Sequence, residues 1–236
     1  MIPGRAGSLT FDERRLEGFR MTDSGTKTGL WPLVHAERAA LADDLAGLTE
    51  ERWETPSLCA GLTVREVLAH VTAGASLTPL RWMTGVIRCR WDFDKQVAMR
   101  LAEQMGDDGA ETLERFRRVV TSTTKPPLPK IAMLGEAIVH AEDIRRPLGL
   151  RRDYPIPVLT ELAGYYGGSD MVVTAKGRIG GLRLQATDGP FAAGSGPLVS
   201  GTTLALIMAM TGRAAYLAEL DGDGVAILRE RAPAQT

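Results

Sequence analysis

Apolar positions recur at helical spacing through the first 150 residues and alternate with polar ones only beyond them. Val34, Leu41, Leu45 and Leu48 predict a helix over Trp31 to about Leu48. Glu50 to Leu62, with Pro56, Cys59 and Gly61, is expected to be a loop. Thr63-Val64-Arg65-Glu66 then has the form of a capping box, in which a Thr cap is answered three residues later by Glu. Behind it Val64, Val67, Leu68 and Val71 make an i, i+3, i+4, i+7 stripe. Further helices are predicted over Leu77 to Cys89, Phe93 to Gln104 and Glu111 to Thr121. The prolines of Thr121 to Pro129 make that stretch a loop, because proline lacks a donor and restricts the residue before it. Ile131 to Arg146 is the next helix, stopped by Pro147 and Gly149.

Asp153-Tyr154-Pro155-Ile156-Pro157 marks a change of composition and the expected domain boundary. Past it Leu182 to Thr187 alternates as a half-buried strand does, and Thr202 to Met210 reads as an apolar helix ended near Gly212. A last short element is expected from Val225 to Arg231. The expected fold class is α+β: a helical bundle over 31–153, then a small mixed α/β domain over 154–236.

Composition narrows the function. The 236 residues carry 28 Lys+Arg against 29 Asp+Glu, a balance that lacks the basic excess of a nucleic-acid binder. No apolar run approaches the roughly 20 residues of a membrane span. Residues 1–30 mix charges without an apolar stretch, so they are expected to be a disordered extension and not a secretory leader, with Met21 as an alternative start. The expected location is the cytoplasm. Two cysteines, Cys59 and Cys89, show no metal-finger spacing. Only three histidines are present, His35, His70 and His140, so any histidine chemistry draws on a short set.

Glu136 and His140 lie four residues apart on the Ile131–Arg146 helix, so their side chains emerge about 40° apart, one turn along. His70 sits on the shoulder of the stripe of the capped helix. Two bundle helices can bring two His and one Glu together, the three protein ligands of a catalytic zinc with a position left open. Spacing alone leaves another reading: a Glu–His pair at i, i+4 is also a common surface interaction, and a His beside apolar residues is often a satisfied core side chain. Asp143 is a candidate acceptor for an imidazole, or a partner for Arg146 or Arg65. Arg145 and Arg146 are candidates for carboxylate binding, or simply favourable charges at a helix C-terminus. Cys59 is expected to be a small buried residue, and His35 an ordinary bundle residue. Gly196 to Thr203 echoes a phosphate loop, but Thr202 stands where the lysine belongs, so it is read as a glycine-rich turn into a helix.

Two blocks carry a resemblance. Glu54 to His70 (ETPSLCAGLTVREVLAH) and Gly135 to Gly149 (GEAIVHAEDIRRPLG) are similar to the signature stretches of the mycothiol-dependent maleylpyruvate isomerase family, DinB-like metal-binding four-helix bundles. Gly194-Ser195-Gly196-Pro197 and Met210-Thr211-Gly212-Arg213 resemble, more loosely, that family's small α/β domain. The resemblance implies that His70, Glu136 and His140 bind a divalent metal, zinc before iron or nickel. It implies mycothiol as cosubstrate, its sulfur held on the metal as a thiolate that adds to an electrophilic small molecule such as maleylpyruvate. Isomerisation and S-transfer are both open to such a thiolate. A non-catalytic metal- or ligand-binding module of the same fold is the alternative.

Overall fold

The computed structural model describes residues 29–233, so the expectations for 1–28 and for Met21 lie outside the described residues. Helices α1 (Leu30–Asp44), α3 (Val64–Ser76), α6 (Gly109–Arg117) and α7 (Lys130–Arg145) pack in a ring, α1 on α7, α7 on α3, α3 on α6 and α6 on α1. This is the four-helix bundle. Between α3 and α6 the chain makes a side excursion, α4 (Pro79–Arg88) and α5 (Phe93–Ala102), whose second helix lies against α3.

Local chemistry explains most of these boundaries. α3 starts at the expected capping box: the Thr63 hydroxyl accepts from the Glu66 amide, and the Glu66 carboxylate accepts from the Thr63 amide at 2.8 Å. α1 stops short of the expected Leu48 because Gly47 takes a φ of +79°, a left-handed turn that glycine adopts without steric cost. Thr78, Asp92 and Asp108 cap α4, α5 and α6 in the same manner, each accepting from the amide three residues on.

Three expectations are corrected. The loop over Glu50–Leu62 contains a short helix, α2 (Glu50–Trp53), which delivers Trp53 into the core at 1% exposure. A 13-residue helix, α8 (Ile156–Gly168), occupies a stretch where none was expected. Its Pro157 falls in the first helical turn, where the missing amide would have had no partner; it marks a helix start where the sequence suggests only a domain boundary. The glycine-rich segment after Gly189 is not only a turn, since it supplies strands β2 (Ala192–Gly194) and β3 (Leu198–Gly201) beside the expected β1 (Arg183–Ala186).

The sheet has order β2-β1-β3, with β1 antiparallel to β2 and parallel to β3. Leu184 of β1 stands opposite Val199 of β3, and both are buried against α9 (Thr203–Met210). A 3-10 helix (Ala214–Glu219) and α10 (Gly224–Glu230) close the chain. One large apolar cluster joins α7, through Met133, Leu134 and Ile138, to Leu159 and Leu162 of α8 and to Leu206 and Ile207 of α9. A second fills the other end of the bundle around Leu41, Trp53, Leu68 and Phe116.

Candidate metal centre

α7 is the central helix, covered on almost every side, as expected of a helix apolar around its circumference. Between Ala132 and Arg145 only two residues are not buried: Glu136 and His140. The surface reaches the middle of the molecule where these two side chains stand. Opposite them α3 presents His70. His70 Nε2 lies 3.7 Å and His140 Nε2 3.5 Å from the same Glu136 oxygen, Oε2. The two imidazoles meet edge to face with centroids 4.9 Å apart. One ligand atom from each of the three residues falls within 4.8 Å of the others.

The neighbours of the triad orient it. Asp143, fully buried one turn beyond His140, accepts the His140 Nδ1–H at 2.9 Å, which turns Nε2 toward Glu136. Asp143 is in turn gripped by Arg213, whose Nε and Nη2 donate to its two oxygens at 2.9 and 2.6 Å. Burial alone would raise the Asp143 carboxyl, but Arg213 and His140 outweigh it and hold it below the usual range. Burial likewise opposes charge on Glu136 and His140, yet each stabilises the other: Glu136 is held well below the ordinary carboxylate value, and His140 is raised to about 9. An additional tie fixes the two helices in register, for the Leu58 amide before α3 donates to the Asp143 carbonyl at 3.1 Å. It also brings Cys59 beside His140 and Asp143; burial, then Asp143, pushes its thiol upward, so Cys59 is not an activated nucleophile.

The arginines of the sequence reading find their carboxylates inside the chain. Arg145, fully buried, donates to Asp44 at 2.7 Å and to the Tyr154 hydroxyl at 2.8 Å; Arg146 pairs with Glu219 and covers the Tyr216 ring. Asp143 pairs with neither Arg146 nor Arg65 but with Arg213, seventy residues away, a link that no local pattern announces. His35 lies elsewhere, stacked on Trp31 with Nε2 3.3 Å from the Ser122 carbonyl oxygen.

A cavity of about 200 Å³ opens onto the triad, with His70 and Glu136 in its wall. Arg38, from α1, also lines it; desolvation lowers its guanidinium to about 10 against the opposing pull of Glu136. Gly74, Trp82, Phe93, Gln96 and Val97 were not read as one cavity from the sequence, because they come from three helices that only the tertiary packing brings together.

Residues 34–128 match the family model described as the mycothiol maleylpyruvate isomerase N-terminal domain. The matched stretch runs from within α1 through α6 and ends just before α7. Two solved structures, the mycothiol-dependent maleylpyruvate isomerase and a histidine-to-alanine mutant of it, share the fold: TM-scores are 0.56 and 0.58 at 15% identity, over 82% of this chain and 91% of theirs. No curated protein matches the chain. The match to the solved isomerase covers more of the chain than the bundle does. No described helix is long and apolar enough to cross a membrane.

Proposed function

We propose that this chain is a metal-dependent enzyme of the cytoplasm that uses a low-molecular-weight thiol, mycothiol, against an electrophilic small molecule, as an isomerase or an S-transferase. The observation that carries it is the convergence of His70, Glu136 and His140 where, among the described residues, the buried stretch Ala132–Arg145 of the central helix opens, with a cavity beside them. The donor set fits a divalent metal: two imidazole nitrogens and one carboxylate oxygen, one imidazole already oriented through its other nitrogen by a buried carboxylate. The family domain supports mycothiol as the thiol, and zinc suits the ligands best.

A bound divalent metal would lower the pKa of a coordinated thiol so that the sulfur is a thiolate near neutral pH. The rest falls to the protein. Asp143 holds His140 in the tautomer that leaves Nε2 free, and Arg213 keeps Asp143 ionised. Glu136 adds negative charge that compensates a dication. The apolar wall beside His70 and Glu136 keeps water from the electrophile.

Elemental analysis of untagged protein tests the centre. Stoichiometric divalent metal is expected in the parent and its loss in His70→Ala and His140→Ala; metal retained in both variants would exclude this centre. Incubation of the loaded protein with mycothiol and electrophiles, maleylpyruvate included, then separates isomerised from conjugated product. Absence of any thiol binding or thiol-dependent turnover would leave a binding module.

A further inference from the structure

Among the described residues, the wall of the cavity beside the triad holds one arginine that no carboxylate meets. Arg38 is 3% exposed and donates through Nη1 alone, to the Val119 and Ser122 carbonyls. Its Nε is buried without a partner, and its Nη2 has none among the described residues. Nε and Nη2 share one edge of the guanidinium, and such an edge takes a carboxylate through two parallel hydrogen bonds. This protein uses the same edge twice elsewhere: Arg213 grips Asp143 with Nε and Nη2, and Arg152 grips Glu37 in the same way. Glu37, the neighbour of Arg38 in sequence, is thereby taken, and Glu136, in the same wall, is turned to the two histidines.

Arg100 and Gln96 add two more unpaired atoms to that wall. The Arg100 charge is met by both Glu103 oxygens, while its Nε is buried without a partner. Gln96 donates Nε2 to the Trp82 carbonyl, which leaves Oε1 as a buried acceptor without a partner. A buried cation is costly unless it is paired, so an unengaged donor edge beside the triad marks a place for an anion. The rest of the wall is largely apolar, with Val71, Leu77, Trp82 and Met133. The volume of about 200 Å³ compares with about 150 Å³ for an apolar cavity that takes up benzene. One ring with one carboxylate fits both the space and the charge. A second carboxylate would face apolar side chains or the charge of Glu136.

We propose that the Nε–Nη2 edge of Arg38 receives the carboxylate of the electrophile, a monocarboxylate whose apolar body, about the size of one ring, lies in the cavity beside His70 and Glu136. That the ligand is an electrophile rests on the thiol-enzyme reading; the carboxylate seat does not. Arg38 is thus a specificity-determining residue, contributed by α1, which carries none of the triad. Two variants probe it. Arg38→Lys keeps the charge and a donor for the α6-end carbonyls but lacks the two-pronged edge. Gly74 lies one helical turn beyond His70 on the same face of α3, lines the cavity, and a side chain added there meets nothing within 4 Å. Gly74→Leu therefore fills the cavity while improving the helix.

The test is calorimetric titration of the metal-loaded, full-length protein with three unreactive probes: benzoate, its neutral counterpart benzamide, and the dianion maleate. Benzoate is expected to bind at least tenfold tighter than either. In Arg38→Lys its lead over benzamide should fall below threefold while benzamide binds as before, and in Gly74→Leu both aromatic probes should lose tenfold or more. Benzamide or maleate binding as tightly as benzoate would overturn the proposal. So would a benzoate preference that survives in Arg38→Lys, since the carboxylate would then sit on the metal. The arginine Nε–H resonances of the unaltered protein give a second readout: benzoate should shift the Arg38 signal and benzamide should not, and a signal that benzoate leaves in place would also overturn the seat. The reactive congener 4-chloro-3-nitrobenzoate, supplied with mycothiol, separates the seat from the enzyme reading. The thiol sulfur bonds to the ring carbon, the carbon–chlorine bond breaks, chloride leaves with the electron pair, and the thiol proton passes to solvent. Conjugation whose KM rises tenfold in Arg38→Lys supports both. Conjugation indifferent to Arg38→Lys keeps the enzyme and overturns the seat. Benzoate binding that depends on Arg38, with neither mycothiol binding nor conjugation, keeps the seat and overturns the thiol-enzyme reading.

Discussion

His140 sits between two carboxylates, and that position sets how the centre responds to pH. Glu136 and Asp143 overcome the desolvation of its ring and raise it to about 9, so the metal-free protein carries it protonated at neutral pH. A metal must displace that proton. Metal affinity is therefore expected to climb by up to roughly tenfold per pH unit and to flatten as the pH passes about 9. The stability of the metal-free protein runs the opposite way. A group raised on folding contributes fully below its unfolded pKa, near 6.5, and that contribution is lost as the pH rises through about 9. Asp143→Asn removes one of the raising charges and should move the flattening of the affinity curve to lower pH. It should also weaken metal binding by about 10–100-fold, the usual effect of losing a partner that orients a ligand. Titrations of metal uptake across pH, with proton release measured in weakly buffered solution, check both. A curve without pH dependence below 9 would contradict the His140 assignment.

At the scale of the elements, α3 and α7 matter because each carries proposed metal ligands and each is held at a defined place. α3 begins at the Thr63–Glu66 box, two turns ahead of His70, and the Leu58 tie fixes the loop before it to α7. Thr63→Ala removes one side of the box and should cost about 1 kcal/mol of stability. The cavity side of His70 lies far enough along α3 that metal stoichiometry should be kept. Thermal melting with elemental analysis reads the two effects separately, and metal loss with an unchanged melting temperature would show that the cap acts on the site directly. α7 meets α8 at Gly135, where an added Cβ would stand 2.3 Å from the Tyr166 hydroxyl. The helix pair can approach closely because Gly135 has no side chain.

Across the whole molecule, the bundle depends on the chain that follows it. Glu142 of α7, buried, receives the hydroxyls of Tyr154 and Tyr216 at 2.6 Å each, and Asp143 receives Arg213. The large apolar cluster likewise runs from α7 into α8 and α9. A fragment of residues 31–153 would strip α7 of this cover, leave Glu142 without its two hydroxyl partners and leave Asp143 without Arg213, a loss of several kcal/mol by the usual cost of breaking buried pairs. It is expected to lack the cooperative melt of the full chain, as read by circular dichroism. A fragment melting at the same temperature as the parent would refute the dependence.

The helices with a strong apolar stripe or an explicit cap were legible from the sequence, because their determinants lie within a few residues of one another. The strands β2 and β3 were not, since three or four residues carry no period. α8 was hidden by its own prolines, whose meaning depends on whether a helix lies before or after them. The pairing of Glu136 with His140 follows from a spacing of four on one helix, and His70, on the shoulder of the capped helix's stripe, joins them as one of two open readings that the family resemblance narrows. That the three face one another at an opening is decided only by the packing of α3 on α7. The same holds for the Asp143–Arg213 pair and for the apolar cavity, which joins side chains from helices separated by many residues. Local sequence sets which segments become helices and which residue types they carry, because backbone propensity, caps and turns act over one or two turns. Which side chains share a pocket, which charges lose their water and which titrations shift is decided by tertiary packing, because burial and Coulomb interactions depend on distance in space and not along the chain.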